Sequence, residues 1–307
     1  MPSNSFKRTY RLFVGSRGED TSIIRGSEIT DLQIEFSIEI EEEAGTKEGN
    51  IIVKNLSQAT VSKLSEPNSY VQLVAGYGQD NEWTIIKGDI VYIDTSNNGT
   101  DTTTSMYVKD GYNELVRTLH PSSDIPGSDL VIPKNTDLIT LVELVFSFIG
   151  IEKGEVDLGD KANDKTSSAY TIAGPVSTIL AQLLLRRGLN YWVDGGRYYV
   201  SPRSNPAPSE KRVWDLGSDS GMIGSPRFTR DKTAKLSEND DKVESGIEVM
   251  TLLNGRVRIG DKVNIRSKAS VADAYDNLRV KKIVHTGNFE SGDWKTELSL
   301  SQFEPTE

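Results

Sequence analysis

Alternation of apolar and polar positions dominates the first third of the chain. Ile34, Phe36, Ile38 and Ile40 hold one parity while Glu35, Ser37, Glu39 and Glu41 hold the other, the period of two expected of a strand buried on one side. Tyr10-Arg11-Leu12-Phe13-Val14, running into Gly15, predicts another strand. The acidic, glycine-bearing stretch from Glu43 to Gly49 leads into Asn50-Ile51-Ile52-Val53-Lys54-Asn55-Leu56, so a hairpin is expected there. Ser57 is placed to cap a short helix reaching Leu64. Strands are expected over 70–76 and 83–94, and Asn97-Asn98-Gly99 predicts a tight turn into a partner strand over 102–108, because Asn and Gly tolerate positive φ. About six strands with little helix suit a small barrel or sandwich, not a parallel nucleotide-binding sheet.

The pattern changes after His120. Residues 120–133 turn to Pro, Ser, Gly and Asp and read as a linker. Asp137 then stands before a helix with Leu138, Leu141, Val142, Leu144, Val145 and Phe148 on its apolar side and Gly150 at its end. A second helix is predicted over 176–187, with Pro175 near its start, Ile179, Leu180, Leu183 and Leu184 on its apolar side and Gly188 after it. Tyr191-Trp192-Val193, turning at Asp194-Gly195-Gly196 into Arg197-Tyr198-Tyr199-Val200, predicts a hairpin that covers both helices. Residues 137–202 thus form a small α+β unit, with 202–208 as its exit linker. Strand signals return from Val213 onward, over 246–250, 252–257 and 260–265, and close with 278–285 paired to 294–300.

The ends of the two β regions correspond. Val71 to Val74, Ile86 to Asp94 and Thr103 to Val108 have counterparts, in the same order, in Val263 to Ile265, Leu278 to His285 and Lys295 to Leu300. A duplicated chain lets three copies present six similar units to a six-fold neighbour.

Composition narrows the chemistry. The 307 residues contain no cysteine and two histidines, which removes thiol nucleophiles, disulfides and thiolate metal sites. A formal charge of −10 opposes a role in gripping nucleic-acid phosphates. The N-terminal residues carry no signal-peptide pattern, and no apolar run has the length of a bilayer crossing. His285 lacks a partner at readable spacing and is expected to be a packed or turn-bonding residue, while His120 is expected to be exposed in the linker. Asp160 to Asp164 and Glu238 to Asp241 lack the glycine and closing glutamate of a calcium loop, and Gly15-Ser16-Arg17-Gly18 lacks the ending of a phosphate loop. No catalytic, cofactor or metal residue is assigned. The acidic run Glu39-Ile40-Glu41-Glu42-Glu43 reads as a solvated strand edge and turn.

Three segments carry a resemblance to a known family. They are Gly49-Asn50-Ile51-Ile52-Val53-Lys54-Asn55-Leu56-Ser57, the run Thr251 to Val263 with its Gly260-Asp261 step, and the closing Val280 to Gly287 with Gly292-Asp293-Trp294-Lys295-Thr296-Glu297-Leu298. In that order they resemble the baseplate hub proteins of contractile-tailed bacteriophages, the group of the phage Mu hub and the late-control protein D proteins. The resemblance implies a mainly β fold in which two related tail-tube-like β-barrel domains, 1–115 and 203–307, flank a linker at 116–136 and the α+β domain at 137–202. It implies a non-catalytic homotrimer in the virion baseplate, assembled in the host cytoplasm. The implied partners are the tail tube or its adaptor, the central spike, the tape-measure protein and other baseplate proteins, with DNA only in transit. Glu39, Glu41 and Glu42 are then expected to line a DNA-repelling channel. The competing expectation is a carbohydrate- or ligand-binding β protein using Tyr191, Trp192, Tyr198 and Tyr199 as stacking surfaces.

Overall fold

The computed structural model describes residues 7–18, 23–43, 45–78, 80–116, 118–119, 131–203, 212–230, 245–266 and 274–302. His120 and residues 121–130 of its linker, residues 204–208 of the exit linker and the Glu238 to Asp241 stretch lie outside them.

The first region contains β1 (Arg8–Arg17), β2 (Ile23–Ile29), β3 (Ile34–Glu41), β4 (Glu48–Lys54), α1 (Gln58–Leu64), β5 (Ser69–Tyr77), β6 (Glu82–Asn98), β7 (Asp101–Lys109) and α2 (Tyr112–Leu115). Burial alternates along β3 as its sequence predicts, with the four apolar side chains inside. Ser57 caps α1 by accepting from the Thr60 N–H at 3.1 Å. The strands run β2-β1-β5-β6-β7-β4-β3. Tyr10 and Leu12 from β1 share one apolar cluster with Ile34 and Phe36 from β3 at the far end of that path, so the sheet wraps a single core.

The middle region contains β8 (Thr118–Leu119), β9 (Val131–Ile132), α3 (Leu138–Ile149), β10 (Glu152–Val156), β11 (Tyr170–Thr171), β12 (Gly174–Pro175), α4 (Val176–Leu183), β13 (Leu189–Asp194) and β14 (Arg197–Pro202). α3 buries Leu138, Leu141, Val142, Val145, Phe146 and Ile149 against Val176, Ile179, Leu180 and Leu183 of α4. Phe148 lies beyond the edge of that stripe and is exposed; Phe146 takes its place, stacked on Tyr198 at 3.8 Å. Asp137 precedes α3 without a side-chain cap bond and instead pairs with Lys165 at 3.2 Å. α4 stops at Leu183 and tightens into a 3-10 turn, Leu185–Arg187, before Gly188 at φ 73°.

The last region contains β15 (Val213–Gly217), β16 (Met222–Arg230), β17 (Ser245–Leu252), β18 (Lys262–Arg266), β19 (Ala274–Asn288) and β20 (Trp294–Gln302). The strand expected over 252–257 ends at Leu252. Beyond it the Asn254 side chain accepts from the Arg256 N–H at 3.0 Å and turns the chain.

The repeat extends to the hydrogen-bonded path. The first region runs β3-β4-β7-β6-β5-β1 and the last runs β16-β17-β20-β19-β18-β15, so six strands correspond in both chain order and neighbour order. The irregularity between Ile90 and Tyr92, where β6 meets β7, recurs between Val280 and Lys282, where β19 meets β20. Beyond it, Thr95 faces Thr104 and His285 faces Thr296, each pair linked through side chains, at 3.4 and 2.9 Å. The regions differ in that β1 is antiparallel to β5 but β15 is parallel to β18, and β2 is an addition. They are also joined to each other, because β3 pairs with β19 from Glu35↔Asn288 to Glu41↔Lys282, making one sheet of 13 strands.

Candidate functional site

Because β3 and β19 pair, eight strands, β16-β17-β20-β19-β3-β4-β7-β6, present one uninterrupted outward face. Register builds that face in rows. Arg227, Glu248, Ser299, Lys282 and Glu41 form one row. Ile223, Met250, Glu297, Val284, Glu39, Glu48 and Lys109 form the next. The inward residues of the same strands are mostly the apolar core, so alternation leaves this face mainly polar, with Ile223, Met250 and Val284 as apolar members.

The charges on the face are largely matched in place. Lys282 reaches Glu39 at 3.0 Å and Glu41 at 3.5 Å, Lys109 reaches Glu48 at 2.6 Å, and Lys295 reaches Glu297 at 2.9 Å. Partial burial works against the Lys282 ammonium, yet its hydrogen bond with Glu39 and the nearby charges of Glu41 and Glu39 hold its pKa above the ordinary lysine value. Tyr92 stacks on Tyr107 at 5.2 Å and remains 54% exposed.

Of the three acidic residues expected to line a channel, Glu39 and Glu41 lie on this face, half-exposed. Glu42 does not. It follows Glu41 on the inward parity and is 1% exposed, where it pairs with the buried Arg279, meets Lys281 at 3.0 Å and accepts from the Ser201 hydroxyl at 2.7 Å. Burial alone pushes the Glu42 carboxyl up, but the Arg279 and Lys281 charges and the Ser201 hydroxyl outweigh it and hold the carboxyl below its ordinary value. One buried group thereby ties the end of β3 to β14 and β19.

A second polar knot lies where the tip of the β13–β14 hairpin meets the first region. The Lys47 N–H donates to the Val193 carbonyl and the Val193 N–H to the Gly45 carbonyl, both at 3.1 Å, and Lys47 pairs with Asp194 at 2.9 Å. Asp110, buried at the end of β7, accepts from the Gly196 N–H at 3.2 Å. Burial and the Asp194 charge raise its carboxyl to about 7, against the pull of the Gly196 N–H and Lys47. His285 is buried close by, and burial followed by the Lys47 charge lowers its ring to about 3. A histidine held neutral and bonded to Thr296 fits the packed role expected of it.

The aromatic residues of the competing reading are mostly packed. Tyr198 is 2% and Trp192 4% exposed, Trp192 stacks on Tyr199 at 5.5 Å, and Tyr191 packs against the helical core. Among the described residues no cluster of three or more His, Asp or Glu side chains could hold a metal ion, and no helix is long and apolar enough to cross a membrane.

No family model matches the chain, and no curated protein matches it. Solved structures do. The chain is similar to the 43 kDa tail protein of prophage MuSo2 from Shewanella oneidensis, with 13% identity and a TM-score of 0.63 over 95% of this chain and 96% of that one. It is similar to a tail protein from Neisseria meningitidis MC58, with 12% identity and a TM-score of 0.61 over 95% and 96%. It is also similar to the E. coli c3393 protein, a type VI secretion component described as resembling the T4 tail proteins gp27 and gp5, with 10% identity and a TM-score of 0.58 over 89% and 74%. The fold is therefore one found in phage tail proteins, matched over nearly the whole chain.

Proposed function

We propose that this protein is a non-catalytic baseplate hub subunit of a contractile phage tail, a homotrimeric adaptor between the six-fold tail tube and the three-fold central spike. The observation that carries the reading is the repeated strand path, β3-β4-β7-β6-β5-β1 and β16-β17-β20-β19-β18-β15, within one chain. Two like units per chain let three chains offer six quasi-equivalent contacts on one side while keeping three-fold symmetry on the other. The fold shared with tail proteins supports it. The units are a first barrel at 1–115, a linker at 116–136, an α+β domain at 137–202 and a second barrel at 203–307.

The continuous, mainly polar face is the wall of the DNA passage. Glu39 and Glu41 keep carboxylates on it while Lys282 tempers their field, so phosphates meet a surface that neither grips nor strongly expels them. The tube or its adaptor, the spike, the tape-measure protein and other baseplate proteins are the expected neighbours, in a virion assembled in the host cytoplasm. Native mass spectrometry of the chain mixed with the tube and spike proteins of the same phage tests this. Three copies bound per spike trimer is the expected result, and a one-to-one monomeric complex or no complex overturns it.

A further inference from the structure

β19 and β6 correspond strand for strand, yet their surroundings differ. Residues 282–288 of β19 have β20 on one edge and β3 on the other. The matching residues of β6, 92–98, have β7 on one edge and, among the described residues, no strand on the other. The counterpart of β3 is β16, which pairs with β17 and ends the sheet path. Among the described residues, two open edges therefore stand where the repeat elsewhere has a pair.

We propose that β16 of one copy adds, antiparallel, to residues 92–98 of β6 in a second copy, in the register that joins β3 to β19 within the chain. This rests on the trimeric reading above and names its seam. The register transfers through the shared irregularity, because Tyr92 and Lys282 are the first paired residues beyond it. Ile38, opposite Gly49, corresponds to Phe228, opposite Ile247, since Gly49 and Ile247 in turn face the matching residues Val108 and Leu300. His285 faces Ile38, so Thr95 of one copy faces Phe228 of the next, with Ser96 opposite Arg227 and Asp94 opposite Thr229.

Burial supports the seam from both sides. Ile38 is fully buried, but its counterpart Phe228 is 47% exposed. His285 and Ile283 are buried, whereas Thr95 is exposed and Ile93 half-buried. Three of the large exposed apolar side chains, Tyr92, Ile223 and Phe228, sit on these two strands. Charge agrees as well, because the register sets exposed Asp94 diagonally across from exposed Arg227 on one face. Gly224, Ser225 and Pro226 together oppose Val249, a bulge carrying a residue with no N–H to donate. That limits how far a ladder extends along β16 and protects the edge from indiscriminate pairing. Each contact between copies repeats the joint inside the chain, so in-chain and between-chain seams alternate around a ring.

The absence of cysteine makes disulfide trapping free of background. Residues facing each other across antiparallel strands lie about 4.5–5.5 Å apart at Cα, within the span a disulfide bridges. A Ser96→Cys chain mixed with an Arg227→Cys chain under mild oxidation should give a covalent dimer that neither chain gives alone. The chain carrying both substitutions should end as a covalent trimer. Thr95→Cys combined with Arg227→Cys aims the sulfurs at opposite faces and should link with a yield about tenfold lower. Equal yields overturn the register. Trimers by native mass spectrometry without a Ser96–Arg227 link place the seam elsewhere and leave the trimeric reading standing. A covalent series running past three keeps the strand pairing and overturns the trimer, and chains that stay monomeric and unlinked even when mixed with the tube and spike proteins overturn both.

Discussion

Replacing Asp110 with asparagine should remove one of two opposing contributions to the pH dependence of folding and leave the slope due to His285 unopposed. Asp110 is 1% exposed beneath the β13–β14 turn, beside Lys47 and Asp194, and its carboxyl is raised from 3.8 to about 7, first by burial and then by the Asp194 charge. The unfolded chain ionises this group near 3.8. As pH rises past that value, the unfolded state releases a proton that the folded state keeps, so the contribution to stability is full below 3.8 and is lost on the way to about 7. At about 1.4 kcal/mol for each decade of proton affinity, the loss reaches about 4 kcal/mol. His285 slopes the other way. Its ring falls from 6.5 to about 3, so its contribution is full above 6.5 and is lost as pH falls toward about 3. Both variants carry His285, and the difference between them isolates Asp110. Asparagine keeps an oxygen for the Gly196 N–H, now at 3.2 Å. Urea unfolding of wild type and Asp110→Asn from about pH 4 to about pH 8 should show the variant gaining, relative to wild type, about 4 kcal/mol across the range. Parallel stability curves would refute the argument.

Three further outcomes follow from packing. Glu42→Ala strands the buried Arg279 and should cost about 3–5 kcal/mol in urea unfolding, whereas Glu42→Leu with Arg279→Met should recover most of that loss. Gly287 lies directly across from Phe36 in the β3–β19 joint, and an added Cβ would overlap the Phe36 ring and crowd Trp294. Gly287→Ala should therefore cost about 1–3 kcal/mol, read by the same unfolding curves. Trp192→Ala removes a core side chain stacked on Tyr199 and should cost about 3–5 kcal/mol, with no thermal shift from added oligosaccharides in either protein. A glycan-dependent shift in wild type that the variant loses would favour the carbohydrate reading instead.

Local signals in the chain were legible where one side of an element is buried. β3, the Ser57 cap, the Gly150 and Gly188 helix ends, and the match of β5, β6 and β7 to β18, β19 and β20 all follow from parity and turn chemistry. The inward placement of Glu42 was legible too, since Ile40 points in and Glu41 out, but a run of acids reads by charge before it reads by parity. β2 and β10 carried no comparable signal. Ile23–Ile29 does not alternate, and Glu152–Val156 is mostly charged or glycine and is held from one side by β14. The bulge in β16 breaks its period and hid it as a counterpart of β3. The joint between β3 and β19 was the least readable feature, because its register is set by two cores that meet across some 240 residues of sequence.

Single-particle electron microscopy of the assembled protein viewed down its axis addresses the duplication and its use together. The expected image is an annulus of six lobes in which alternate lobes are identical and neighbours differ, with two lobes assigned to each chain. An annulus of three lobes, or six lobes each formed by a separate chain, would contradict the account.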